Sequence, residues 1–109
     1  MKTFKLSESG ERGWFVGQFE KAVFKTDILE AALQFNEKDT YSPRHYHKVA
    51  TEINLIVSGK AKYNDIVVEA GNGIVVYPGE ESLCYYLEDT QTMVIKVPGV
   101  LNDKYVIEE

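Results

Sequence analysis

Short apolar runs, separated by turn-forming residues, recur along the chain from Trp14 to Ile107. The runs are rich in Val, Ile, Phe and Tyr, which favour β-strands. Between them lie Gly, Pro, Asn and Asp, the residues typical of tight turns, for example at Asn64-Asp65 and Pro78-Gly79. This alternation of short apolar runs and turns predicts an all-β domain, either a sandwich or a barrel.

One segment, residues 27–36, has a middle made of good helix formers and therefore also permits a helix. Its apolar residues nevertheless occupy every second position from Leu29 to Phe35, which is the period of a strand rather than of a helix. We therefore interpret this segment as a strand.

The length of 109 residues suits one domain with a single core. A division into two would leave each half too small to be stable without disulfides or metal ions. We expect one domain over residues 1–109, with a barrel core at about residues 14–107 and looser segments at residues 1–13 and 102–109.

Charge and cysteine content argue against several classes of protein. The net charge is −5 and no cluster of Lys and Arg stands out, so we expect neither nucleic acid nor a membrane as a partner. Cys84 is the single cysteine, which excludes an intrachain disulfide. The lysines near the N-terminus are not followed by an apolar stretch, so we expect no signal peptide and a cytoplasmic location.

The two histidines of the chain are His45 and His47. Pro43 disfavours a helix around them, and on a strand two residues separated by one project from the same face. Glu52 lies five positions beyond His47, so on one straight strand it would point away from both imidazoles. The carboxylate can join them only if the chain turns within residues 48–51 and then begins a new strand.

Two neutral imidazoles and one carboxylate, with positions left for water or substrate, form the ligand set of non-haem Fe(II) sites. We therefore predict one divalent metal ion at His45, His47 and Glu52. Fe²⁺ is the favoured ion, and Mn²⁺, Ni²⁺, Co²⁺ and Zn²⁺ can use the same ligands. The competing interpretation is that these are ordinary surface or hydrogen-bonded side chains.

The pattern His45-x-His47, four residues, Glu52, six residues, Gly59 resembles the first conserved motif of the cupin superfamily. Residues 73–80, with Gly73 followed by an apolar strand and a Pro-Gly turn, resemble the second motif. The resemblance implies a small single-domain cupin, a jelly-roll-like double-stranded β-helix. Its second motif departs from the family pattern, because Ser82 stands about where a metal-binding histidine is expected.

The missing histidine leaves the fourth ligand open among water and the side chains on the strand face of Ser82. That face also carries Cys84 and Tyr86, and a lone cysteine there is more often a small core residue than a ligand. Other strand residues are candidates for lining the cavity beside the metal: Asn54, which shares the face of Glu52, together with Gln34 and Tyr63.

The resemblance implies a metal-dependent enzyme acting on a small polar molecule, by dioxygenase-like or isomerase chemistry. Both histidines are assigned to the metal, and this slightly favours oxidation over a base-driven isomerisation. The alternative is a non-catalytic module that binds a sugar-like molecule or serves dimerisation. We expect a homodimer, because the strand after Glu52 has a second face made of Ile53, Leu55 and Val57 that needs a cover.

Overall fold

The computed structural model describes residues 1–108 and contains two β-sheets that face each other. A 3₁₀ helix at Leu6–Glu8 precedes the strands. The strands are β1 (Trp14–Gly17), β2 (Phe24–Lys25), β3 (Glu30–Asn36), β4 (Tyr41–His47), β5 (Thr51–Ser58), β6 (Lys60–Tyr63), β7 (Ile66–Glu69), β8 (Gly73–Val76), β9 (Ser82–Tyr86), β10 (Thr90–Val97) and β11 (Lys104–Val106).

The strand order is β2-β1-β3-β10-β5-β8 in one sheet and β11-β4-β9-β6-β7 in the other. Successive strands cross between the sheets, as β3, β4 and β5 do, so the chain winds around a shared interior. The all-β prediction is confirmed, and so is the interpretation of residues 27–36, which contain β3. No helix within residues 1–108 has the length and apolar character needed to cross a membrane.

The first sheet presents side chains to the interior in registered rows across β3, β10 and β5. The row nearest the start of β5 is charged and contains Glu30, Lys96 and Glu52. The next two rows are Ala32, Val94 and Asn54, followed by Gln34, Thr92 and Ile56. On this sheet the interior is therefore charged near the start of β5 and mixed polar and apolar further along the strands.

The second sheet supplies most of the apolar core. Its strand β9 alternates regularly, with Ser82, Cys84 and Tyr86 buried, as their shared face predicts. Cys84 and Tyr86 belong to a buried cluster at one end of the interior, which consists of Ile56, Ala61, Tyr63, Val68, Cys84 and Tyr86. This packing holds the two sheets together and leaves the other end of the interior polar.

Both ends of the chain take part in the fold, so the expectation of loose segments is wrong for much of their length. Gly10 donates its backbone N–H to Lys21, and Glu11 forms a β-bridge with Trp14. At the other end, β11 pairs with β4 next to the histidines. Glu109 lies outside the described residues.

The outer face of the first sheet is apolar and accessible. Ile53, Leu55 and Val57 are 38%, 45% and 48% exposed, and Val75 on the neighbouring strand is 43% exposed. Cross-strand pairs join Ile53 to Val75 and Leu55 to Met93, so the apolar surface is continuous over three strands. The homodimer stays a prediction, and this is the face on which it depends.

We expect the wild-type chain to sediment as a dimer and a Leu55→Glu variant to sediment as a monomer, because a buried unpaired carboxylate disfavours association. Val67→Glu is the matched control, since Val67 is also exposed on a strand but lies in the other sheet. Sedimentation velocity measures all three proteins. A monomeric wild type would contradict the prediction.

Candidate metal centre

An irregularity in β4 directs its polar side chains inward. Ser42 is opposite Cys84 and His45 is opposite Ser82, and the register between β4 and β9 shifts between these two pairs. Pro43, which has no N–H to donate to a ladder, lies within that shift. As a result His45 and His47 are both buried, at 7% and 3% exposure, and project into the interior.

The chain reverses between His47 and Glu52, as the ligand spacing requires. β4 ends at His47, β5 begins at Thr51, and Asp103 from the β10–β11 loop caps the turn between them. Its carboxylate accepts backbone N–H bonds from Lys48 at 3.0 Å, from Val49 at 3.1 and 3.3 Å, and from Ala50 at 2.9 Å. Three successive N–H groups are thus satisfied by one buried side chain, which defines the direction in which β5 leaves the turn.

The pKa of Asp103 reflects this role. Burial by itself raises the pKa, and the hydrogen bonds from Ala50, Val49 and Lys48 act in the opposite direction and prevail. The pKa is therefore below its ordinary value, and the charged carboxylate is the form that the turn stabilises.

The reversal brings His45, His47 and Glu52 together. One ligand atom from each side chain lies within 4.8 Å of the other two. The two imidazole rings are nearly perpendicular, at 86°, with centroids 5.2 Å apart. Ligand atoms about 2.1 Å from a shared ion lie no more than about 4.2 Å apart, so small side-chain rotations complete the convergence.

Hydrogen bonds orient two of the three candidate ligands. Nδ1 of His45 lies 2.8 Å from the carbonyl oxygen of Pro43, and because a carbonyl only accepts, Nδ1 carries the proton. The lone pair of Nε2 is then available, as in metal sites whose histidines are held from behind. Similarly, Asn54 Nδ2 donates to Glu52 Oε2 at 3.3 Å and restrains the carboxylate.

The charge state of His47 also suits a metal ligand. Burial lowers the pKa of His47, and the positive charge of Lys96 acts in the same direction, while Glu52 opposes both and does not prevail. The imidazole is therefore more often neutral near pH 7 than a free histidine, and only the neutral form binds a metal ion. One nitrogen from each imidazole and the carboxylate of Glu52 thus fit a divalent cation.

A cavity of about 1210 Å³ adjoins the three ligands. It is lined by all six residues that the sequence singled out around the metal: Gln34, Asn54, Tyr63, Ser82, Cys84 and Tyr86. Ser82, in the place of the missing histidine, is buried and directly opposite His45. All six candidate residues thus line the same cavity. Their roles as ligands or substrate contacts stay predictions.

Cys84 lies between two tyrosines, Tyr63 and Tyr86, and is hydrogen-bonded to both. Burial raises the pKa of the Cys84 thiol to about 11 and raises the pKa of both phenols. All three groups are therefore protonated at neutral pH. The 5% exposure of Cys84 and its place in the apolar cluster favour its interpretation as a core residue.

Sequence reasoning missed two charged residues of the interior, Lys96 and Glu30. Lys96 Nζ is 3.7 Å from Glu30 Oε1 and 5.3 Å from the centre of the Trp14 ring, and its side chain is only 14% exposed. The strand period of β10 could have indicated this orientation, because Lys96 shares the face of the buried Thr92 and Val94. It could not have shown that this face meets Glu52.

Asp103 was missed for a different reason. It follows Asn102 in a segment that looked loose, and no local pattern links it to a turn more than 50 residues earlier. Such a contact follows only from the pairing of β11 with β4.

Comparisons with known proteins identify the fold. No family model matches the chain, and no curated protein matches it in sequence. Solved structures do. A Klebsiella pneumoniae protein described as uncharacterized and conserved, with a double-stranded β-helix domain, superposes with a TM-score of 0.70 at 18% identity, over 99% of this chain and 93% of that one.

KdgF from Halomonas sp. gives a TM-score of 0.63 at 18% identity, covering 67% of this chain and 72% of the other. A cupin-2 domain protein from Shewanella frigidimarina gives 0.56 at 21% identity, over 66% and 72% of the two chains. The chain has the cupin fold. The motif at His45, His47 and Glu52 therefore indicated the architecture correctly.

Replacing Asp103 by Asn tests whether this carboxylate holds the turn in the cupin fold. One amide oxygen cannot accept three N–H bonds, and the amide N–H₂ would face other donors, so we expect the free energy of unfolding to fall by about 3 kcal/mol at pH 7. Urea denaturation of metal-free protein measures the change. Asp65→Asn, in the exposed β6–β7 turn, is the control and should change little.

The difference between wild type and Asp103→Asn should depend on pH. Because folding lowers the pKa of Asp103, its stabilisation is complete above the ordinary carboxyl pKa of about 3.9 and disappears as pH falls through the folded-state value. The two proteins should therefore converge in stability in strongly acidic urea titrations. A difference that is constant from pH 7 downward would show that the charge of Asp103 is unimportant.

Proposed function

We propose that this protein is a metal-dependent enzyme that acts on a small polar molecule at His45, His47 and Glu52. The observation that carries the proposal is the convergence of these three side chains on the wall of a cavity large enough for substrate. Other proteins of the same fold support it, since bacterial pirin YhhW from Escherichia coli was solved in complex with nickel(II). DMSP lyase DddQ from Ruegeria pomeroyi and oxalate decarboxylase OxdC from Bacillus subtilis share the fold as well.

The ligand set favours a catalytic metal over a purely structural one. A structural site normally has a closed shell of protein ligands, whereas three ligands leave positions for substrate. A divalent ion held here would polarise a bound oxygen atom or, if it is Fe²⁺, support reaction with dioxygen. Fe²⁺ stays our favoured ion, with Mn²⁺, Ni²⁺, Co²⁺ and Zn²⁺ as alternatives.

The protein's own residues have separate tasks in this proposal. His45 and His47 each present a ring nitrogen to the ion, and Asn54 restrains the Glu52 carboxylate. The protonated phenols of Tyr63 and Tyr86 line the cavity as hydrogen-bond donors. The apolar cluster contributes part of the cavity lining, and its low polarity strengthens electrostatic interactions with substrate.

The reaction we favour is dioxygenase-like, and isomerisation is the second candidate. Lys96 supports the second one, because it places an ammonium group in the cavity in addition to the metal ligands. An ammonium group can exchange a proton or stabilise an enolate, and neither task then requires a histidine. A binding module without catalysis is the outcome that remains if neither reaction is found.

Elemental analysis tests the metal. We expect wild-type protein to hold about one divalent ion per chain after incubation with Fe²⁺ under argon and desalting, and a His45→Ala/His47→Ala variant to hold less than a tenth of that. Circular dichroism should show that both proteins keep their β-structure. Equal, low metal contents in the two folded proteins would overturn the proposal.

Oxygen uptake separates the two reactions. We expect the iron-loaded wild type to consume dioxygen with at least one member of a panel of small thiols, diketones and catechols, and the double histidine variant to consume none. A Clark electrode makes the measurement. Metal-loaded protein that consumes no oxygen with any of them would favour isomerisation or binding. A Lys96→Met variant would then distinguish those two, because only isomerisation has a turnover that the substitution can abolish.

A further inference from the structure

Two buried polar groups in the wall of the cavity have no hydrogen-bond partner within residues 1–108. They are Oδ1 of Asn54, in a residue 4% exposed, and Oγ1 of Thr92, in a residue 2% exposed. Nδ2 of Asn36 is a third such atom. All three residues line the cavity. A buried polar atom without a partner costs about 1–3 kcal/mol, so their occurrence together on one wall requires an explanation.

The assignment of the free atom in Asn54 is determined by its other contact. Glu52 can only accept a hydrogen bond when charged, so the atom that faces it must be the amide nitrogen. The amide oxygen is therefore the atom left without a partner, and it can only accept. A ligand that pairs with Asn54 must supply an O–H or N–H donor.

Equivalent side chains elsewhere in the chain are fully used. Thr90, two residues before Thr92 on the same strand face, accepts from the backbone N–H of Lys60, and its single O–H has the carbonyl oxygens of Glu88 and Lys60 within reach at 2.7 and 3.1 Å. Asn64 uses both ends of its amide, toward Glu81 and Leu83. The free groups are thus concentrated at the cavity, which points to a ligand rather than to general imperfection of packing.

We propose that Asn54 and Thr92 form a subsite for hydroxyl groups of the substrate, so that the substrate class is a small polyhydroxylated molecule. This inference rests on the function proposed above. A hydroxyl can donate to Asn54 Oδ1 and also accept from Thr92 Oγ1, and a second hydroxyl can accept from Asn36 Nδ2. A diketone carries no donor and cannot satisfy Asn54.

The charges of the cavity argue against an amine as the donor. Its charged lining residues are three acids and three bases: Glu11, Glu30, Glu52, Arg12, Lys96 and Lys104. They balance, so a divalent ion at His45, His47 and Glu52 would leave the cavity positive. An ammonium group would be repelled, whereas neutral or anionic hydroxyl compounds would not.

Calorimetric titration of the metal-loaded wild type tests the subsite with gluconate, glucose, hexanoate and butane-1,4-diamine. Binding of gluconate or glucose, with hexanoate and the diamine at least tenfold weaker, is the expected result. Gluconate in preference to glucose would indicate an anionic substrate, and the reverse a neutral one, both within the proposed class. Tighter binding of the diamine or of hexanoate would overturn the inference.

The variant that tests Thr92 directly is Thr92→Val, which replaces the hydroxyl by a methyl group of similar size. We expect the Kd for the bound hydroxyl compound to rise at least about tenfold, which corresponds to about 1.4 kcal/mol. Thr92→Ser should restore the affinity to within about threefold. The metal content of both variants should equal that of the wild type, because Thr92 is not among the three ligand residues.

Thermal unfolding without ligand provides an independent readout. Thr92→Val should leave the Tm unchanged or raised, because it removes an unpartnered hydroxyl, while Thr90→Val should lower the Tm. An equal decrease of Tm in the two variants would show that the Thr92 hydroxyl stabilises the fold, and it would overturn the subsite. Normal metal content with no binding of gluconate or glucose would refute the subsite alone, whereas absence of metal would refute the proposed function itself.

Discussion

The candidate centre depends on one interaction. The carboxylate of Asp103 accepts hydrogen bonds from three successive backbone N–H groups. Without this cap the turn at residues 48–50 would lose the acceptor of three successive N–H groups, that of the buried Ala50 among them. With the cap, Glu52 faces the same interior as His45 and His47. The same contact ties the end of the chain to the site, because Asp103 leads directly into β11, which pairs with β4.

The interior combines two opposed requirements. The end formed by Ile56, Tyr63 and Cys84 is apolar and packed, and it holds the sheets together. The other end holds charged and amide groups in registered rows on β3, β10 and β5. Polar groups in that position do not favour folding by burial alone. Their retention at the cavity is what connects the metal ligands, the Lys96–Glu30 pair and the unpartnered Asn54 and Thr92 into one site.

Much of the architecture could be predicted because its causes are local. Alternation along β9 reports which side chains are buried, and turn residues report where strands end, since both depend on neighbours a few positions away. In β3 the alternation identified the strand but not its inner face, which carries Glu30, Ala32 and Gln34. Ser82 was found by its place in the second motif and Asn54 by its parity with Glu52, and both line the cavity with the other candidates, Gln34 and Tyr63. Lys96 and Thr92 obey strand alternation too, yet their strand had to be placed beside β5 before they could be related to Glu52.

The sequence by itself determined the fold class, the position of most strands and the three candidate ligand side chains, because hydrophobic period, turn chemistry and ligand spacing are properties of short segments. Only the tertiary structure decided that Asp103 holds the turn at residues 48–50, that Lys96 stands in line with Glu30 and Glu52, and that Thr92 lacks a partner where Thr90 is hydrogen-bonded. The physical reason is that hydrogen-bond satisfaction and electrostatic pairing depend on distance in space. Residues 50 or more positions apart along the chain become neighbours only when the sheets close around their common interior.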